Sequence, residues 1–307
     1  MTGHICGRSR VILYEMTEQE WLAERFEEHR TRLRAVAYRM LGSVGDADDA
    51  VQEAWLRLSR QQAGEIENLA GWLTTVVGRV ALNMLRSRAS RAEQPVGVQM
   101  PEPILDPADG PDPEHEALIA DSVGLALLVV LDTLSPPERL AFVLHDMFGL
   151  RFEEIAPIVE RSVPTTRKLA SRARDRVRGA APPQDTDVTA QREVVEAYLA
   201  AARDGDFDAL VAVLDPDVVS RADLGTGVLR EVRGAEAVAG QALTYSSLAP
   251  HARLALVNGT PGIVGIRKGG EPIAVLAFTV RGGRVTELDV LADRGRLREL
   301  DLASLPT

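Results

Sequence analysis

Cysteine is nearly absent: Cys6 is the only one in 307 residues. No internal disulfide is open to the chain, and a reducing cytoplasm suits it. Histidine is scarce too, five in all and scattered, so no metal-ligand spacing forms. No apolar run is long enough to span a bilayer. The first residues lack the apolar core of a signal peptide, and Met16 could equally serve as the start, so no function is placed before it. No glycine-rich loop stands between strand and helix to cradle a phosphate. A basic surplus is also missing. The net charge is -10, awkward for a chain that would bind nucleic acid unaided.

What is present is charge held apart. Arginines are dense at 79–91 and 161–178, while acids crowd 46–53, 102–116 and much of the last third. Such segregation fits a chain whose larger partner supplies much of the nucleic-acid affinity. The length allows two or three domains, and 45% hydrophobic content supports real cores.

The most informative stretch runs from Phe152 to Arg178. Phe152, Ile155, Ala156 and Val159 recur at helical spacing. A turn falls at Glu160–Arg161, Ser162 caps a second helix, and Pro164 sits in its first turn. Leu169, Ala173 and Val177 form the buried seam of that helix. Arg161, Thr165, Lys168 and Arg172 share an exposed stripe. Long cations hold phosphates or guanine edges, and short hydroxyls permit close approach in a major groove. The pattern is that of a helix-turn-helix, although a solvated basic face on an ordinary helical hairpin would look similar.

Earlier in the chain, Phe26, Leu33, Ala37, Met40 and Leu41 trace one helix face, stopped by Gly42. Asp46 is expected to cap the next helix. That helix buries Val51, Ala54, Trp55 and Leu58 and exposes Asp48, Asp49, Gln52 and Glu53. Plain solubility alone would account for these acids. A third helix begins at Asn68, with Leu73, Val76, Val77, Val80 and Met84 inward. Arg79, Asn83 and Arg86 lie on its opposite face, followed by Arg88 and Arg91. With no acid between Asn68 and Arg91, phosphate and base-edge contact fits better than a merely solvated face.

Residues 95–116 are rich in proline and acids and read as a flexible extended linker. Structure is expected to resume near Ala117. At Ser135 a capping box begins, with Pro136 first and Glu138 closing it; Leu140, Val143 and Leu144 carry the seam to Gly149. Residues 181–188 form a second linker. The last third predicts helices at 188–203, after Asp206 and at 235–243. Strands are then expected at 252–258, 262–268, 273–280 and 284–291. Glycine pairs at 269–270 and 282–283 mark hairpin turns. Helices followed by an antiparallel meander make an α+β domain.

At this level of detail the chain resembles the bacterial sigma factors of the extracytoplasmic-function type. The run from Asp46 to Trp55 resembles that family's polymerase-clamp helix. Trp72 to Arg79, with Asn83 and Leu85 to Ser87, is similar to the helix that reads the minus-ten element. Arg161, Ser162 and the run Arg167 to Arg174 resemble the minus-thirty-five helix. The last third resembles a SnoaL-like domain, a curved sheet with helices closing a cone. That combination is similar to the subgroup whose C-terminal extension regulates activity. The family's linker motif falls here on Pro101, Glu102 and Pro103, a second motif on Asp223 and Gly225, and a third on Asp293 to Leu297.

The resemblance implies two all-α sigma domains and an α+β cone-shaped SnoaL-like domain. Their expected ranges are 21–94, 117–180 and 189–307, after an extension at 1–20. It implies polymerase contact by Asp48, Asp49, Gln52 and Glu53. DNA contact would come from Arg79, Asn83, Arg86, Ser87, Arg88, Arg161, Ser162, Thr165, Thr166, Arg167, Lys168, Ser171 and Arg172. Core RNA polymerase and promoter DNA are the expected partners, with a small molecule in the last domain as a further candidate. No cofactor, metal or membrane is expected, nor any enzymatic activity, and the chain is expected to be a monomer. The linker would permit a compact off-state stabilised by the C-terminal domain.

Two rival readings stay open. In an enzyme, Asp223, Tyr245, His251, Glu287 and Asp289 would converge in an apolar pocket, with a carboxylate close to an imidazole. A ligand-responsive helix-turn-helix regulator would need neither the acidic helix nor the second arginine-bearing helix.

Overall fold

The computed structural model describes residues 18–61, 66–91, 100–110, 124–180, 185, 187–246, 251–267 and 270–300. Helix α1 (Glu18–Leu41) ends where Gly42 adopts a φ of 69°, a left-handed conformation that costs glycine little. The predicted stripe from Phe26 to Leu41 is buried. Helix α2 (Val44–Leu58) starts immediately, and its cap is Ser43 rather than Asp46. The Ser43 hydroxyl accepts from the Asp46 N–H at 3.3 Å. Because Gly42 reverses the chain at once, Ser43 reaches the cap position first. Asp46 is left in the first turn, paired with Arg88. Helix α3 (Leu69–Arg91) opens on Asn68, whose side chain accepts from the Gly71 N–H at 3.0 Å. Leu73, Val76, Val77 and Val80 bury against α1 and α2.

The second helical unit comprises α4 (Leu125–Asp132), α5 (Pro136–Phe142), α6 (Phe152–Val159) and α7 (Val163–Ala180). The expected start near Ala117 lies outside the described residues. The Glu138 carboxylate accepts from the Ser135 N–H at 3.2 Å and its hydroxyl at 2.7 Å, closing the predicted box. Between α5 and α6 the chain makes a π-helical turn at Val143–Met147. The α6–α7 turn places Glu160 at φ 57°.

The last third holds α8 (Val188–Asp204), α9 (Phe207–Val213) and α10 (Ala235–Thr244). The four predicted strands form as β4 (Arg253–Val257), β5 (Thr260–Ile266), β6 (Pro272–Arg281) and β7 (Arg284–Leu291). Gly282 and Gly283 both take positive φ in the β6–β7 turn. The first residues of the other glycine-pair turn lie outside the described residues. Three further strands were not predicted: β1 (Leu105–Pro107), β2 (Leu214–Asp223) and β3 (Arg230–Arg233). The sheet order is β1-β4-β5-β6-β7-β2-β3. Strand β2 runs parallel to β7, so the meander is only the β4–β7 part of a mixed sheet.

Strand β1 corrects the expectation of a flexible linker at 95–116 for residues 100–110; the rest of that span lies outside the described residues. Within that span, Met100, Ile104 and Leu105 are each 3% exposed or less, and Leu105 pairs with Val257 of β4. Pro101 and Pro103 hold the backbone extended. Apolar side chains interleaved with them find a hydrophobic seat, and the terminal Pro107 is tolerated on an edge strand.

Strand alternation gives the sheet two unlike faces. One face carries Ile263, Leu276 and Leu288 and packs with Val195, Leu199 and Val238 of its own domain. The other carries Val264, Val275 and Ala277, which share a core with Met100, Ile104, Leu125 and Leu128. The C-terminal domain is thus welded by its back face to the linker and to α4. The two helical units also touch. Helix α3 packs on α5 and α6, and Gly78 sets the approach: a Cβ there would meet Leu140 at 3.4 Å and Ile158 at 3.5 Å.

Candidate nucleic-acid interface and its interdomain clasp

On α2, Asp49 and Gln52 are exposed and Glu53 is partly exposed. Asp48 is held by Arg34 at 2.6 Å and Glu53 by Arg57 at 2.8 Å. Such solvent-exposed pairs are worth under about 1 kcal/mol and can exchange partners readily. Beside them the Phe26 and Trp55 rings pack at a tilt of 53° with centroids 5.2 Å apart, giving the acidic face a firm base.

On α3, Asn83 and Arg86 are exposed. Asn83, Met84 and Ser87 line a polar groove shared with Asp46 and Glu53 of α2. Two of the predicted contacts are already engaged. Arg79 donates to the Pro157 carbonyl of α6 at 3.3 Å. Arg88 donates to the Leu41 carbonyl at 3.2 Å and pairs with Asp46.

On α7 and in the turn before it, Arg161, Thr165, Lys168, Ser171 and Arg172 are exposed. Ser162 caps the helix, its hydroxyl lying 2.9 Å from that of Thr165. Arg167 lies over the Phe152 ring, 5.7 Å from its centroid, and reaches Glu153 at 3.5 Å. Thr166 does not belong to this surface. It is fully buried, and its hydroxyl donates to the Ser162 carbonyl at 3.1 Å. Helical rotation by one residue from Thr165 turns it into the α7 core.

The three regulatory motifs meet at one place. Asp223, nearly buried, accepts from the Met100 N–H at 3.3 Å, the Gly225 N–H at 3.0 Å and Arg296 at 2.8 Å. Gly225 has φ 75°, and a Cβ there would stand 2.9 Å from the Asp293 carboxylate, so glycine is required on both counts. Pro101 and Pro103 are buried. Glu102 accepts the Val44 N–H at 3.0 Å, a carboxylate at a helix N-terminus. The Glu102 N–H donates to the Gly42 carbonyl at 2.7 Å.

Sequence reasoning missed the residues that tie this clasp to α1. Tyr38 donates its hydroxyl to the Glu102 carbonyl at 2.6 Å. Burial pushes the Tyr38 phenol well up from its ordinary range, so it stays a donor. Asn258 is fully buried. Its carbonyl accepts from the Ile104 N–H at 3.1 Å, and its amide donates to Tyr38 at 2.9 Å. One side chain thus touches the linker and the first helix while belonging to the third domain. The Asn258–Gly259 pair between two predicted strands was the available signal, since it marks a tight hairpin turn.

The residues of the enzyme reading do not converge. Strand alternation puts Glu287 and Asp289 on the back face, where Arg221 binds them at 3.2 and 3.4 Å. Asp223 is in the clasp and His251 is exposed. Only Tyr245 of the five lines the apolar cavity on the front face.

Burial, with Glu287 adding repulsion against the pull of Arg221, pushes the Asp289 carboxyl up to about 7. Raised in the fold, it contributes stability that is fully present below its unfolded value and is lost as pH rises through about 7. Thermal midpoints should therefore fall between about pH 4 and 7, and Asp289→Asn should flatten that slope. An unchanged slope in the variant would assign it to other groups.

The Sigma-70 region 2 model matches residues 25–91 and the Sigma-70, region 4 model residues 124–177. The ECF RNA polymerase sigma factor SigJ of Mycobacterium tuberculosis (strain H37Rv) is 40% identical over 281 residues, 86% of this chain and 89% of that protein. The probable ECF RNA polymerase sigma factor SigI of the same organism is 33% identical over 289 residues, 93% of this chain and 98% of that protein. The crystal structure of M. tuberculosis SigJ is similar at a TM-score of 0.74 and 35% identity, covering 91% of this chain and 99% of that one.

The chain belongs to the extracytoplasmic-function RNA polymerase sigma factors, with two helical sigma domains and a C-terminal SnoaL-like domain. Sigma factors bind core RNA polymerase and promoter DNA. Among the described residues no helix is long and apolar enough to cross a membrane, and no group of three or more His, Cys, Asp or Glu could hold a metal ion.

Proposed function

We propose that this sigma factor is self-closed: the compact arrangement is its off-state, held by the C-terminal domain through the Asp223 and Asn258 contacts. In the open state Asp48, Asp49, Gln52 and Glu53 dock on the polymerase. Arg79, Asn83, Arg86, Ser87 and Arg88 meet the minus-ten element, where an unstacked base is captured at a cost of a few kcal/mol. Arg161, Ser162, Thr165, Arg167, Lys168, Ser171 and Arg172 meet the minus-thirty-five duplex. The protein acts as a monomer, and its domains are those of 21–94, 117–180 and 189–307.

The observation that carries this reading is the seam between α3 and α6, with Arg79 spent on the Pro157 carbonyl. The two promoter elements are named for positions about 25 base pairs apart, roughly 85 Å along B-form DNA at 3.4 Å per step. Helix α3 has 23 residues, about 35 Å at 1.5 Å each. Reading helices from units in direct contact cannot reach both elements at once.

Gly78→Leu tests this. Leucine improves the helix propensity of α3 but wedges the seam against Leu140 and Ile158. Overpacking costs about 1–3 kcal/mol, and 1 kcal/mol is already a factor of about five in an equilibrium. Run-off transcription with core polymerase should rise at least fivefold over wild type. Output equal to or below wild type from a folded variant removes the off-state reading.

A further inference from the structure

The front face of the C-terminal sheet closes a cavity of about 230 Å³. Its walls are Tyr198 and Leu199 of α8, Val238 of α10, and Ile263, Leu276 and Leu288 of the sheet. Among the described residues no carboxylate and no histidine lines it, and Arg230 is the only charged residue on its wall. Set in this apolar wall is Gln241, whose Oε1 is buried and has no hydrogen-bond partner among the described residues. Leaving a buried acceptor unpaired is unfavourable, so a turn of the Gln241 side chain that presents this oxygen to an incoming N–H or O–H would be favourable. Leu224 and Tyr245 line the cavity yet are 43% and 51% exposed, which locates its mouth.

That mouth is continuous with the interdomain clasp. Leu224 follows Asp223 directly, and Ala292, also on the wall, donates its N–H to the Asp223 carbonyl at 2.8 Å. Asp223 in turn holds the Met100 N–H of the linker. An occupant that displaces Leu224 or Ala292 therefore moves the residue that grips the linker. We propose that the cavity is a binding site for a small, uncharged, mostly apolar molecule with one hydrogen-bond donor for Gln241 Oε1, and that its occupancy loosens the Asp223 clasp and raises promoter output. The size is that of one or two rings: an apolar cavity of about 150 Å³ already holds benzene, while drug-sized ligands occupy roughly 300 Å³ and more. The regulatory half rests on the self-closed reading above; the binding site does not.

The probe is 2-naphthol, neutral, two-ringed and carrying a single O–H, added to the full-length chain. Saturable fluorescence enhancement is expected. Ala274→Phe, which fills the cavity from β6, should abolish it. Gln241→Leu should weaken it about tenfold, the usual size of one lost hydrogen bond. In run-off assays the probe should raise wild-type output at least twofold. It should leave Asp223→Ala, which still takes up the probe, unresponsive at a raised baseline. Non-saturable uptake, or uptake equal in Ala274→Phe, overturns the site. Saturable, cavity-dependent uptake with no change in output, in a protein that Gly78→Leu does activate, overturns the coupling while the self-closed state stands.

Discussion

Replacing Arg167 with alanine is expected to lower promoter-specific run-off transcription by about tenfold to a hundredfold, the range for one lost base-edge contact of roughly 1–3 kcal/mol. Binding to core polymerase should be unchanged, because the acidic face on α2 lies in a different domain. Arg167 is suited to this role by its seating. The Phe152 ring below it and Glu153 beside it restrict the side chain, so less freedom is lost when it meets DNA. Its ion pair is exposed on both sides, and giving it up costs little. Arg167→Lys keeps the charge but loses the planar fork and the stacking, and should fall between the two. Equal promoter output from Arg167→Ala and wild type would remove Arg167 from the interface.

Asn258→Ala should have the largest effect on stability. It strips a bond from the Ile104 N–H and another from Tyr38 inside a fully buried site. It also places alanine at φ 52°, where asparagine is far better tolerated. Together these should cost about 2–4 kcal/mol. Two readouts check it: a lower thermal midpoint, and a larger radius by small-angle scattering as the domains part. Combined with Tyr38→Phe the effects should be non-additive, since both act on one network. Strict additivity, or an unchanged radius, would mean that Asn258 braces its own hairpin and does not join the domains.

The local elements were largely legible in the sequence. The helix from Pro136 announced itself through Ser135 and Glu138, and α7 through Ser162 and Pro164, because caps are short-range chemistry. The last four strands were equally plain, with glycine pairs marking two of the turns between them. What escaped was whatever depends on distant partners. Strand β2 carries Pro216 and four charged residues, so its pairings with β7 and β3 are what make it a strand. Strand β1 sits in a segment whose composition reads as a tether until β4 is beside it. Asp46 was read as the cap from its residue type alone, and Ser43 won because of the turn before it. In the site, the exposed stripe on α7 was readable from periodicity apart from Thr166. The clasp was not, since Tyr38, Met100, Asp223, Asn258 and Arg296 are joined only by the tertiary fold.

Strand β1 does more than hold the linker: it covers the outer edge of β4. If the self-closed proposal holds, opening the molecule far enough to span a promoter peels that cover away and bares a row of unpaired backbone donors and acceptors. A bare sheet edge recruits any strand that comes near, including one from another copy. The freed factor therefore has a short useful life in solution, and the polymerase must capture it before a like molecule does.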